Sequence, residues 1–187
     1  KTYLAIEQAR RLAEQGKDVA LLCYSLGLAQ YLKRQADKLP IGQKPRHVGT
    51  FHGLGNSIWN IPTPDPLPES WWSEGYPAAL QERLRKRPDL QRFDAFVVDE
   101  GQDFENSWWD VLSLGYRSYS DGPHLVVFGD DDQALSSRTG VQGLALPSLV
   151  LNENLRSTSE IGSTAGLLAS ETPTTSGIEG PEICFVE

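Results

Sequence analysis

The sequence predicts an α/β fold with a mostly parallel sheet and helices on both faces, and three observations carry that prediction. Short apolar runs of strand length alternate with longer stretches at helical spacing, the signature of successive βα units. Two of those runs lead directly into acidic clusters, at the strand ends where open α/β sheets bind their ligands. The chain has 187 residues, 39% hydrophobic and 22% charged; that is enough for one α/β domain with a real core and not comfortably enough for two.

In chain order, Tyr3–Gln15 has amphipathic helical spacing and leads into the apolar run Val19–Tyr24, the first expected strand. Leu28–Lys38 reads as the second helix and Val48–Phe51 as the second strand. Residues 56–92 read as a short Pro-rich insertion. Between Asn60 and Arg92, Pro62, Pro64, Pro66, Pro68, Pro77 and Pro88 are expected to defeat regular structure, with Trp71 and Trp72 as packing residues. Phe93–Val98 is the third strand, Glu105–Tyr116 a helix in which Trp108 and Trp109 pack inward, and Leu125–Phe128 the fourth strand. A fifth strand is expected at Leu149–Leu151. The helix Ser157–Ala169 opens with Ser157 and carries Glu160 three residues on, a capping box that satisfies two amide donors. Ser170–Pro181 is rich in Thr, Ser, Gly and Pro and reads as a linker into a strand at Glu182–Val186.

Composition excludes several classes. No apolar run approaches the ~20 residues that span a bilayer, and no signal-peptide pattern opens the chain. A cytoplasmic protein with no membrane partner is expected. Cys23 and Cys184 lie far apart without a CxxC pair or a histidine cluster, which argues against a disulfide framework or a zinc site; both thiols are expected reduced. Methionine is absent, position 1 included, so the chain reads as a fragment or a processed product. The formal net charge of −8 provides no general footprint for phosphates, so any nucleic-acid contact must be local.

Four short motifs carry chemistry. Asp99-Glu100-Gly101-Gln102-Asp103 follows Phe96-Val97-Val98. At such a strand end one carboxylate can hold Mg²⁺ and the next can orient or deprotonate a water attacking a γ-phosphate; the competing reading is a solvated acidic turn. Gly129-Asp130-Asp131-Asp132-Gln133 follows a second apolar run. Its glycine permits close backbone approach and its amide can sense a terminal phosphate, while the spacing of an EF-hand calcium loop is missing. Lys1-Thr2 opens the first helix, and Leu151-Asn152-Glu153-Asn154-Leu155-Arg156-Ser157-Thr158 places an arginine just before a capped helix. A guanidinium there suits charge stabilisation in phosphoryl transfer, against the plainer reading of a surface arginine.

In this order and strand context, the chain resembles the UvrD/Rep-type helicases of superfamily one, specifically their first RecA-like lobe, cut at both ends. Lys1-Thr2 resembles the end of Walker A, Asp99 to Asp103 the DExQD form of Walker B, Gly129 to Gln133 the GDxDQ motif, and Asn154 to Ser157 the N-x-RS motif. Cys23-Tyr24-Ser25 is similar to the element that touches single-stranded DNA, and Thr50-Phe51-His52 to the TxH motif. The resemblance implies a RecA-like P-loop NTPase lobe over residues 1–169, with 170–187 as a linker and the first strand of a second lobe. It implies ATP and Mg²⁺ as cofactors, with Lys1 on phosphates and Thr2 and Asp99 on the metal. Glu100 would activate water, Gln133 would contact the γ-phosphate, and Arg156 would stabilise transition-state charge. Single-stranded DNA, RNA not being excluded, would meet Tyr24, Ser25, Thr50 and His52, and the remaining lobe of the parent helicase would be the other partner.

The departures are specific. The family runs on from GDxDQ through an aromatic-rich segment that stacks bases, whereas here Ala134-Leu135-Ser136-Ser137-Arg138-Thr139-Gly140 contains no aromatic and leaves Arg138 as the one candidate contact. The Gly-rich loop that should precede Lys1 is absent. The competing expectation is therefore a catalytically silent module that retains the helicase fold and binds nucleic acid or a protein. A third is a RecA-like NTPase acting on protein, which the acidity favours.

Overall fold

The computed structural model describes residues 1–117, 124–130, 141, 144–151, 153–154, 161, 163 and 174–175. The chain divides into two compact units, Lys1–Leu144 and Ala145–Glu187. In the first, helix α1 (Thr2–Glu14) leads to strand β1 (Val19–Cys23), helix α2 (Leu26–Asp37), strand β2 (His47–Thr50) and helix α3 (Phe51–Ser57). A π-turn (Trp71–Gly75) runs into helix α4 (Tyr76–Lys86), then strand β3 (Ala95–Val98), a 3-10 turn (Gly101–Asp103), helix α5 (Asn106–Leu114) and strand β4 (His124–Val127). The four strands form one all-parallel sheet in the order β2-β1-β3-β4, with Cys23 opposite Thr50, Leu22 opposite Val98, and Val98 opposite Val127.

Alternation along the strands explains the layering. Val19, Leu21, Cys23, Ala95 and Val97 pack with Ala5, Ala9 and Leu12 of α1 and Ala29 and Leu32 of α2. Ala20, Leu22, Phe96 and Val98 pack with Phe51 and Leu54 of α3, Leu80 and Leu84 of α4, and Trp108, Val111 and Leu112 of α5. Successive side chains leave a strand on opposite faces, so a strand apolar at every position requires cover on both. The chain is thus an α/β protein with an all-parallel sheet between helices.

The expected elements appear with shifted ends. Tyr24, Phe51 and Phe128 fall just past their strands. Phe93 precedes its strand and bridges to Tyr116. The larger correction is the insertion, where prolines were expected to defeat regular structure and an 11-residue helix, α4, stands instead. Pro77 lies in its first turn, where no helical N–H is lost, and Pro88 comes after its last residue, so these two prolines bracket the helix. Helix α3, also unexpected, starts because the Thr50 hydroxyl accepts a bond from the Gly53 N–H at 2.9 Å.

In the second unit Glu153–Asn154 (β5) pairs in parallel with Thr174–Thr175 (β6). Leu149–Leu151, expected as a strand, is irregular and exposed. Three apolar residues are too short a run to distinguish a strand by pattern. Most of the helix expected at Ser157–Ala169, and the strand expected at Glu182–Val186, lie outside the described residues, as does Cys184.

Candidate functional site

Because the sheet is parallel and in register, the ends of β1, β2, β3 and β4 share one edge, and the residues that follow them stand side by side. Strand β1 is flanked by β2, which follows it, on one side and by β3 on the other, so the direction of chain progression reverses there. Ligands of open α/β sheets bind outside the carboxyl ends at such a reversal.

Asp99 follows β3 and is fully buried. Its backbone N–H donates to the Leu22 carbonyl at 2.8 Å, which fixes it beside β1. One carboxylate oxygen accepts from the Glu100 N–H at 3.2 Å, and the Thr2 side chain at the start of α1 favours the charged form. The other oxygen, Oδ2, is buried with no hydrogen-bond partner. Burial pushes the Asp99 pKa above the usual carboxylate value, the neighbouring Glu100 charge adds to this, and Thr2 opposes it. An oxygen left bare in this way has the chemistry of a cation ligand.

Glu100 adopts a left-handed conformation, φ 57° and ψ 49°, that costs a non-glycine residue roughly 1–2 kcal/mol. Strain of this kind collects at functional sites when the surroundings enforce it. Here Gln102 does so, its side chain only 3% exposed. Its Nε2 donates to Glu100 Oε2 at 2.6 Å, while its Oε1 accepts from the Asp130 N–H at 3.0 Å. The Gly101 N–H donates to the Phe128 carbonyl at 2.8 Å. A side chain at Gly101 would collide with Val127, and a Cβ at Gly129 would come within 3.3 Å of Gln102 Oε1. The loops after β3 and β4 are thereby held to each other, with the closest approach at Gly101.

Lys1 and Thr2 open α1 at this same edge. The Lys1 ammonium lies 2.9 Å from Asp130 Oδ2, an ion pair about one third exposed on each side. Among the described residues no group of three or more His, Cys, Asp and Glu side chains could hold a metal. A cation here would draw on Asp99, Thr2 and non-protein oxygens. Cys23 lies buried in β1, its thiol pushed up to about 12 by burial first and then by Asp99 and Glu100, so it stays protonated and inert.

The other half of the edge, over β1 and β2, is aromatic. Tyr24 is half-buried and stacks on Trp108 with centroids 5.9 Å apart. Trp108 lies flat against Phe51 at 4.5 Å and edge-on to His52 at 5.0 Å. The Tyr76 hydroxyl donates to the His52 carbonyl at 2.7 Å. The hydroxyls of Ser25 and Thr50 both serve as helix caps, Ser25 accepting from the Leu28 N–H at 3.2 Å and Thr50 from Gly53. Ser25 is exposed, whereas Thr50 is buried.

Of the residues singled out from sequence, Lys1, Thr2, Asp99 and Glu100 thus come together, and Tyr24, Ser25, Thr50 and His52 line the same edge beside them. Gln133, Arg138 and Arg156 lie outside the described residues. Sequence reasoning did not single out Gln102 or Asp130 as site residues. No local pattern marked Gln102, whose amide donates to a carboxylate and accepts from a backbone N–H of a second loop. No protein-family model matches this chain, and no curated protein sequence matches it either. Among the described residues no helix is long and apolar enough to cross a membrane.

Proposed function

We propose that this chain is the ATP-driven motor lobe of a cytoplasmic nucleic-acid helicase or translocase, a RecA-like P-loop NTPase of the UvrD/Rep type that works on single-stranded DNA. The observation that carries the reading is Asp99, fully buried at the end of the inner strand β3 and left with one bare oxygen. A hard divalent cation is the ligand such an oxygen suits. Mg²⁺ bound with ATP supplies charge neutralisation at the β- and γ-phosphates.

The chain's own residues divide the remaining work. Asp99 and Thr2 would hold the ion, and Lys1 would exchange Asp130 for phosphate oxygens, an exchange made easy because a part-exposed ion pair is worth at most about 1 kcal/mol. Glu100 would take the proton of the attacking water. Gln102 is a positioning residue that holds the Glu100 carboxylate and ties it to the loop after β4. By resemblance, Gln133 contacts the γ-phosphate and Arg156 stabilises the developing charge. The strand would cross the other half of the edge, at Tyr24, Ser25 and His52, with Thr50 contributing through the α3 turn it caps and Arg138 through its charge. Support for this division is the juxtaposition of a nucleotide-suited half and an aromatic half on one sheet edge.

The test is steady-state ATP hydrolysis by the full-length protein and its Glu100→Gln variant. Loss of a general base lowers turnover by roughly 10²–10⁴-fold; unchanged turnover in the variant would remove Glu100 from the chemistry. The Lys1–Asp130 pair, which occupies the phosphate-binding lysine, favours a second reading, a silent module that retains the fold and binds nucleic acid or a protein. That reading requires the wild-type protein to be as inactive as the variant.

A further inference from the structure

The π-turn Trp71–Gly75 sits just before α4, and its wide turn is closed by a bond from the Gly75 N–H to the Ser70 carbonyl at 3.3 Å. Isolated π-turns are rare and occur often at functional sites. This one sends two adjacent tryptophans to different fates. The Trp71 ring folds back against the core, so close to Gly75 that a Cβ there would lie 2.6 Å from its Cε3. Trp72 remains 41% exposed. An exposed indole is costly to keep in water, and the surrounding residues hold this one in place. Its ring stands edge-on to His52 with centroids 5.4 Å apart and tilted against Tyr76 at 5.3 Å. Tyr76 in turn bonds the His52 carbonyl, and Gly55 clears the space for its hydroxyl. The packing on His52 and Tyr76 restricts how the indole can turn, so little side-chain entropy remains to be lost on binding.

We infer that Trp72 is a stacking platform for an unpaired nucleobase, placed beside His52 at the carboxyl edge of the sheet. The inference rests on the nucleic-acid reading above and adds to it a binding residue that no motif predicts. Three features favour a nucleobase over other occupants. The ring is large and flat, its neighbours are aromatic, and it stands against His52, which follows β2 at the carboxyl edge. Because every base has a π-face, such a platform binds with little regard to sequence and only where the strand is unpaired.

Tryptophan fluorescence tests this directly. Trp59, Trp108 and Trp109 are buried and Trp71 is packed against the core, which leaves Trp72 as the indole a base can reach. The experiment uses the full-length protein, a fluorescein-labelled oligo(dT) for anisotropy, and unlabelled oligo(dT) and a blunt duplex for intrinsic fluorescence. Oligo(dT) should quench the wild type and the duplex should not. The quench should vanish in Trp72→Phe while affinity stays within about threefold, and Trp72→Ala should weaken binding roughly tenfold. Because the ring is exposed, both variants should melt within a few degrees of wild type, which separates loss of binding from loss of fold. Wild-type affinity in Trp72→Ala would overturn the platform while leaving the nucleic-acid reading intact. Failure of the wild type to bind oligo(dT) at all would overturn both.

Discussion

Replacing Asp99 by Asn tests the site without touching its shape. The two side chains are isosteric, and the position is fully buried with one oxygen unpartnered. A buried polar group without a partner costs ~1–3 kcal/mol, more when charged. Burial raises the Asp99 pKa, so the folded state favours the protonated form and pays increasingly as pH rises from the ordinary carboxylate range through the folded value. At pH 7.5 the neutral amide removes the charge, although its own unpartnered polar atom stays buried. In a chain of 150–250 residues ~1 kcal/mol moves Tm by roughly 2–4 °C, so Asp99→Asn should melt about 2–4 °C above wild type without metal. Mg²⁺ should reverse the order. At tenfold over its Kd a ligand specific for the folded state adds about 1.4 kcal/mol, roughly 3–5 °C, and only the carboxylate should benefit. Thermal melts followed by circular dichroism, with Mg²⁺ and with EDTA, read both effects. A variant that melts below wild type in EDTA would refute the orphaned-carboxylate reasoning, and equal Mg²⁺ stabilisation of both proteins would refute Asp99 as the ligand.

Two further substitutions probe the loop contacts at the site and the sheet behind it. Gly101→Ala drives a Cβ into Val127 and to 3.3 Å from Val141, so it should lower stability by ~1–3 kcal/mol, read as a drop in urea midpoint at unchanged slope; an unchanged midpoint would mean the two loops are not locked together. His47, at the start of β2, has its pKa pulled down to about 4, chiefly by burial and then by Lys33. The folded state therefore keeps it neutral while the unfolded chain protonates it below ~6.5, so its stabilising contribution is complete above that value and is lost as pH falls towards 4. The loss should be on the order of 2–3 kcal/mol and absent in His47→Gln; parallel pH profiles of denaturant stability for the two proteins would contradict it.

Much of the sheet was legible because each inner strand is apolar at every position, a pattern that requires burial on both faces. The acids after β3 were legible for the same reason, since a carboxylate directly after a buried strand has few places to go other than the carboxyl edge. Helix α4 was not, because prolines were read as breakers before their positions relative to a helix were known; Pro77 and Pro88 mark its ends. Gln102 was hidden because its role depends on two loops meeting, which no single stretch of sequence encodes. Trp72 was read as packing together with Trp71, and only the π-turn separates them. Asp130 was part of a recognised motif, yet its partner Lys1 lies 129 residues away in sequence, beyond any local pattern.

If one edge of this sheet couples a nucleotide to a strand, as proposed, titrating the full-length protein with oligo(dT) while following steady-state hydrolysis of ATP in Mg²⁺ should reveal it. Turnover that rises to saturation with the single strand is the predicted result. Hydrolysis indifferent to the strand, or absent at every concentration of it, would contradict the account.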